Sequence, residues 1–335
     1  MTTRSTAAAV AVAFALSAGP AMAEVSEVRV AQQFGVSYLP LIVMDKLDLI
    51  EKHAKAAGLG TVKLTWVTLT GGAPMNDALI SGSLDIASGG VGPLLTIWAR
   101  TRSNIQVKAI SSINSMPLVV TSINPAVKTI RDFTEKDRIA LPSVKVSVQA
   151  VTLQMAAEQM FGQGKHDVLD RLTVSLSHPD ATAAILSGQS EISAHFTSAP
   201  FYYQQIASGK AHKVLSSYDV LGGPGTFNSV WTTTKFREQN PKTYKAILAA
   251  LDEAMTIIAS EDKGRLAQLY IDAEKSRLPV AFVEQILKDP DNVFTTVPQG
   301  TMKYAEFMFK IGAIKEKAAS WKDYYFADIH DRPGS

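Results

Sequence analysis

The 335-residue sequence contains no cysteine. Disulfides, thiolate zinc sites and a lipid carried on an N-terminal cysteine are thereby excluded. An excess of charge of one sign is also missing. The 33 basic residues face 31 acidic ones, a formal net charge of +2, with no run of like charges. That balance gives no reason to expect a nucleic acid or an anionic membrane surface as partner. Past the N-terminus, no stretch reaches the ~18 apolar residues needed to span a bilayer. Catalytic signatures are lacking too: there is no G-x-S-x-G, no H-E-x-x-H and no phosphate-binding loop. Gly162-Gln163-Gly164-Lys165-His166 is only superficially similar to that last motif. None of the six histidines pairs with another at metal-ligand spacing, so neither metal nor cofactor is expected.

What the chain has is length and a distinctive start. With 46% hydrophobic residues it can build two ordinary domains, each with its own core. Arg4 precedes an apolar stretch from Ala7 to Ala18, then Gly19-Pro20 and Ala21-Met22-Ala23. A cationic start, a short apolar core and a small-x-small ending describe a secretory signal peptide over residues 1–23, cleaved after Ala23. An exported chain without cysteine is expected in a Gram-negative periplasm, without a lipid tether.

The strongest signal is an internal repeat. Asn76–Ser88 reads NDALISGSLDIAS, and Thr182–Ala194 reads TAAILSGQSEISA. Ala78, Ser81, Gly82 and Ile86 recur as Ala184, Ser187, Gly188 and Ile192 at one fixed spacing, and Asp85 is matched by Glu191. Each copy reads as an apolar helix ended by a left-handed glycine, then a short strand, then a small-residue loop closing on a proline. The loops are read as Gly89-Gly90-Val91-Gly92-Pro93 and His195-Phe196-Thr197-Ser198-Ala199-Pro200. A duplicated β-loop-α unit predicts two similar α/β lobes, with ligand taken at the carboxyl ends of their strands.

The surrounding chain fits that plan. Val28–Ala31 reads as a first strand, followed by the loop Gln32–Tyr38 and a helix near Pro40; Val62–Val67 alternates as a second strand. Arg138–Leu141 reads as a strand opening the second lobe, Pro142–Gln149 as its loop, and Val151–Met160 as a helix closed by Gly162. Asn240-Pro241 starts a long helix with an apolar face of Tyr244, Ile247, Leu248, Leu251, Ala254 and Ile258, and the remainder reads as helical to about Ile314. The expected division is lobe I over residues 24–116 and 228–335, and lobe II over residues 117–227. Crossings fall near Asn114–Pro117 and Gly225–Ser229.

These features, in this order, resemble the periplasmic solute-binding proteins of the nitrate/sulfonate/taurine type that feed ABC importers. The resemblance is carried by the first strand and its loop, the paired Ser-Gly-x-x-acidic-Ile units, Asp132-Phe133, Gly209-Lys210 before Val214-Leu215, and Ser320-Trp321-Lys322-Asp323. It implies a type II-like periplasmic binding protein fold, two lobes closing over one small solute, and an ABC permease and ATPase as partners. The stretch His195–Pro200 departs from the glycine or aromatic-Glu-Pro that family members often carry there, which leaves the solute open.

Loops at strand ends supply the candidate ligand residues: Gln33, Phe34, Ser37, Tyr38, Gly71, Gly72, Gly89, Gly90, Ser143, Lys145, His178, His195 and Ser198. Small residues before helix starts favour a negatively charged group, and Lys145 is the main formal cation. The mixture suits a small organic anion, and a carboxylate placed at Gly90 is expected to repel it. Two other readings stay open. One is a thiamine-pyrimidine-precursor protein or synthase on the same fold, although the synthases of that type carry a cysteine cluster that this chain lacks. The other is a periplasmic sensor subunit.

Overall fold

The computed structural model describes residues 23–335. The expected signal peptide, save its last residue, lies outside the described residues. The first run of elements is β1 (Glu27–Gln32), α1 (Leu39–Lys46), α2 (Leu49–Ala56), β2 (Lys63–Thr68), α3 (Gly72–Ile80), β3 (Ala87–Gly90), α4 (Val91–Thr101) and β4 (Val107–Ser112). There follow β5 (Val119–Ser122), β6 (Ile139–Leu141), α5 (Val148–Phe161), β7 (Thr173–Ser175), α6 (His178–Ser187), β8 (Ala194–Thr197), α7 (Phe201–Ala207), β9 (His212–Ser216) and α8 (Ser217–Leu221). The chain ends with β10 (Asn228–Thr233), α9 (Thr234–Gln239), α10 (Pro241–Ser260), α11 (Lys263–Glu274), α12 (Val280–Lys288) and α13 (Thr301–Lys310).

The duplication is visible in the sheets. One half places β3-β10-β4 side by side, and β1-β2 joins its edge where Ala31 N–H donates to the Ile86 carbonyl. The other half is ordered β7-β6-β8-β5-β9. Read across, β2-β1-β3-β10-β4 and β7-β6-β8-β5-β9 share one plan. Parallel strands stand on one side, and one antiparallel strand is inserted next to the repeat strand. In each half that inserted strand is the first element after a crossing: β10 pairs antiparallel with β3 and β4, and β5 with β8 and β9. The repeat glycines adopt the expected left-handed conformation, Gly82 at φ +74° and Gly188 at φ +65°.

The chain leaves the first sheet after Ser112 and returns to it at Asn228. The two connecting segments meet, since Ser115 pairs antiparallel with Thr226. Asn114 ties this junction together. Its Nδ2 donates to the Ser37 carbonyl at 2.6 Å, and its Oδ1 accepts from Asn228 N–H at 3.0 Å. A second strap runs outside it: Ser115 also pairs with Val293, and Tyr203 donates to Asp289 while Tyr218 donates to the Asp291 carbonyl. The long helix forms as expected, with Tyr244, Ile247, Leu251, Ala254 and Ile258 buried on the side of α1 and α2 and Leu248 half-buried at the margin of that face.

Three local expectations are corrected. His195-Phe196-Thr197 is not a loop but β8 itself, a buried central strand between β6 and β5. Gly89 and Gly90 likewise belong to β3, and Val91-Gly92-Pro93 is already the first turn of α4. The C-terminal stretch is not continuously helical; residues 289–300 form the irregular strap beside the crossings.

Candidate functional site

Four helices begin at one place between the two sheets. Gly72 is the first residue of α3, Gly90 precedes α4, Ser147-Val148 opens α5 and His178 opens α6. These residues line a small cavity with Gln33, Phe34 and Tyr38 from the loop after β1, Pro93 and Pro142, Gln149, and Phe227 from the second crossing. Its volume is about 10 Å³, room for about one water molecule. No lining side chain carries a formal charge.

The positive ends of four helix dipoles therefore converge on a neutral pocket. Ser147 caps α5 by accepting from Ala150 N–H at 3.2 Å, and Ser177 caps α6 by accepting from Asp180 N–H. The starts of α3 and α4 have no side-chain cap. At α4 the first of their N–H groups, that of Val91, already donates to the Phe227 carbonyl at 3.1 Å, and Pro74 and Pro93 bring none, so Gly72, Ala73 and Gly92 N–H are the ones left for an outside acceptor.

The pocket is small because the halves are pressed together, and glycine permits it. At Gly90 a Cβ would lie 2.6 Å from Val148 Cγ1; at Gly92 one would lie 2.8 Å from the Val146 carbonyl oxygen. Any side chain at 90 therefore meets Val148 rather than projecting into open space, so the expectation that a carboxylate there acts by charge is replaced by a steric one.

The sequence candidates fall into three groups. Gln33, Phe34, Tyr38, Gly72, Gly90 and His178 line the cavity. Ser37, Gly71, Gly89, Ser143, His195 and Ser198 stand immediately behind or beside it. The hydroxyls of Ser37 and Ser198 are buried without a hydrogen-bond partner, and Gly71 and Ser143 are in contact across the halves. Lys145 stands apart: it is exposed, in the left-handed region at φ +63°, and outside the lining. Sequence reasoning missed Val148 and Gln149 as lining residues and Gln205, Asn228 and Trp231 behind them. Nothing local marks these positions, because their place depends on how the halves meet.

Burial sets the ionisation states. His178 is pushed down to about 3 by loss of solvent, and His195 falls well below its ordinary value through burial and the neighbouring His178 ring. The Tyr38 phenol is pushed up by burial; its hydroxyl lies 3.4 Å from Asn228 Oδ1. His178 Nδ1 lies 2.9 Å from His195 Nε2 and 3.0 Å from Thr197 Oγ1, and His195 Nδ1 lies 2.7 Å from Gln205 Nε2. Both rings are neutral parts of a buried hydrogen-bond chain. Among the described residues, no group of three His, Asp or Glu side chains is placed to hold a metal, and no helix is long and apolar enough to cross a membrane.

Comparison with known proteins follows this geometry. The alkanesulfonate-binding protein SsuA from Xanthomonas axonopodis pv. citri, solved bound to MOPS, superposes with a TM-score of 0.67 at 20% identity, covering 88% of this chain and 96% of its own. The periplasmic aliphatic sulphonate-binding protein SsuA from Escherichia coli gives 0.64 at 19% identity, covering 90% and 92%. The periplasmic nitrate-binding protein NrtA from Synechocystis PCC 6803 gives 0.62 at 16% identity, covering 79% and 70%. At these identities the likeness establishes the periplasmic binding protein fold. No curated protein sequence matches the chain. The model of the NMT1-like family matches residues 21–270, most of the chain, and the protein belongs to that family.

Proposed function

We propose that the protein captures a small organic anion, sulfonate-, taurine- or nitrate-like, between its two halves and delivers it to an ABC permease and its ATPase. The observation that carries this reading is the convergence of four helix N-termini on a cavity without a charged side chain. Such a site holds negative charge through N–H groups and dipoles rather than through a cation. The two halves joined by paired crossings supply the geometry for hinge closure, and the roughly one-water volume is what a closed, solute-free cleft leaves. In this reading residues 24–116 and 228–335 move as one lobe and residues 117–227 as the other. The leader over residues 1–23 directs export to the periplasm and is removed. The relatives solved with this fold are named for binding sulfonates and nitrate, not for catalysis, and the role proposed here is likewise binding.

A second reading has one observation in its favour. Phe34, Tyr38 and Phe227 wall the cavity with aromatic surface while Gln33 and Gln149 offer amides, a lining that suits a neutral pyrimidine. A thermal-shift panel of ethanesulfonate, taurine, nitrate, aromatic carboxylates and pyrimidines separates the two. A ligand at ~100 times its dissociation constant adds about 2.7 kcal/mol of stability. Stabilisation by the anions supports the proposal, whereas stabilisation by pyrimidines alone overturns it.

A further inference from the structure

The buried chain behind the cavity has a direction, and that direction decides what the cavity shows to a solute. It starts at Gln205 on α7, whose Oε1 lies 2.5 Å from Thr121 Oγ1. That separation is short even for O–H···O and shorter still for N–H···O, so the threonine hydroxyl donates and the amide oxygen accepts, while the His195 carbonyl lies further from the same hydroxyl at 3.3 Å. The Gln205 nitrogen then faces Thr182 Oγ1 at 3.0 Å and His195 Nδ1 at 2.7 Å. An amide nitrogen can only donate, so His195 Nδ1 carries the lone pair and its proton sits on Nε2. His195 Nε2 is 2.9 Å from His178 Nδ1, which must accept, so the His178 proton sits on Nε2 as well. Thr197 Oγ1, 3.0 Å from the same Nδ1, can donate to it and strengthen that choice. None of these partners is charged.

At the cavity wall the chain reaches the Gln149 amide, whose Nε2 lies 3.3 Å from His178 Nε2. In this amide orientation both nitrogens are donors, and the opposite orientation presents Oε1 to His178 Nε2–H as an acceptor. Both residues line the cavity. Without solute the amide can turn to accept from His178; a solute oxygen lying to the cavity side of the pair, within hydrogen-bond reach of both nitrogens, lets both donate to it.

We propose that His178 contacts the solute as a neutral Nε2–H donor, paired with the Gln149 amide, and that His195 and Gln205 are positioning residues that lock it in that tautomer. The cavity then selects a solute that offers a hydrogen-bond acceptor here, such as a sulfonate or carboxylate oxygen, and rejects one that offers only donors. This rests on the proposed capture of an anion and names the contact that would read its oxygen.

The test is nitrogen NMR of the intact protein labelled at histidine, with His178 and His195 signals assigned by their loss in His178→Gln and His195→Gln. The expected spectrum of the solute-free protein at neutral pH shows both as Nε2–H tautomers. An Nδ1–H tautomer at His178, which a turned-over Gln205 amide would impose, overturns the relay whether or not any anion binds. Calorimetry with ethanesulfonate then tests the contact. His178→Leu is expected to lose at least tenfold in affinity, while His178→Gln, which keeps a donor, retains most of it. Equal affinity for His178→Leu and the parent protein removes His178 from the site. If no anion of the panel binds, the capture reading fails and takes the solute contact with it, while the tautomer assignment is still decided by the spectrum.

Discussion

Gly90→Ala is the smallest perturbation that separates closure from folding. The backbone at Gly90 has φ −65° and ψ 157°, which alanine adopts without strain. Only the new methyl matters. It would stand 2.6 Å from Val148 Cγ1 and 2.9 Å from Val148 Cβ, where ordinary contact begins near 3.4 Å. Rotation of the valine relieves the first overlap but not the second, so the start of α5 must retreat from the end of β3. Overpacking of this kind costs about 1–3 kcal/mol. The penalty falls on the arrangement in which the halves touch and spares one in which they are apart. Affinity for a bound anion should therefore fall between about 5- and 150-fold, while the melting temperature of the solute-free protein falls only to the extent that it rests closed. Trimming the partner in a Gly90→Ala/Val148→Ala double variant removes the Cγ1 contact and should recover part of the loss. Calorimetry with ethanesulfonate reads the affinity. Parental affinity in a well-folded Gly90→Ala protein would refute the reasoning, because it would mean that Gly90 and Val148 do not approach each other in the bound state.

The two buried histidines should make the protein acid-sensitive. Their folded-state pKa values lie below the ordinary 6.5, near 3 for His178, so the unfolded chain binds the extra protons and stability falls as pH drops from about 6.5 toward 3. His178 should contribute a loss of about 2 kcal/mol between pH 7 and pH 5, and His195 a loss in the same direction. Glu274, which burial pushes up to about 7, works in the opposite direction, so the check is the difference in urea-unfolding free energy between the protein and His178→Gln/His195→Gln; no difference in pH slope would count against neutral buried rings. At the N-terminus, Glu24 accepts hydrogen bonds from Lys242 N–H, Thr243 N–H and the Thr243 hydroxyl at the start of α10. Glu24→Ala should cost roughly 1 kcal/mol, as loss of a helix N-terminal acceptor does, and mass spectrometry of exported protein should find Glu24 as the first residue.

The repeat announced the fold because its signals are local. Gly82 and Gly188 take the left-handed backbone of a helix end without a Cβ penalty, and Asn240-Pro241 opens a helix whose apolar face is written in its own residues. The candidate site was legible where it coincides with helix starts, at Gly72, Gly90 and His178, and with the loop after the first strand, at Gln33, Phe34 and Tyr38. His195 was read as a loop residue because a histidine amid small and polar residues lacks the apolar signature of a buried strand. It is tolerated in β8 only through Gln205, Thr121 and Thr182, which the sequence does not connect to it. Lys145 shows the converse. A cation beside a predicted cleft looked like a ligand contact, yet the left-handed turn at that residue leaves it exposed. Val148 and Gln149 gain their roles from the approach of one half to the other, a distance that no local pattern encodes.

The central claim, capture of a small anion by closure of two halves, is tested most directly by titrating ethanesulfonate, taurine and nitrate into the protein while following small-angle X-ray scattering. The account predicts saturable one-to-one binding of at least one of these anions to the parent protein, with a particle at saturation no larger than the free one. It also predicts a Gly90→Ala particle that saturates only at about 5- to 150-fold higher anion concentration. Failure of all three anions to bind at millimolar concentration, or binding accompanied by expansion, would contradict it.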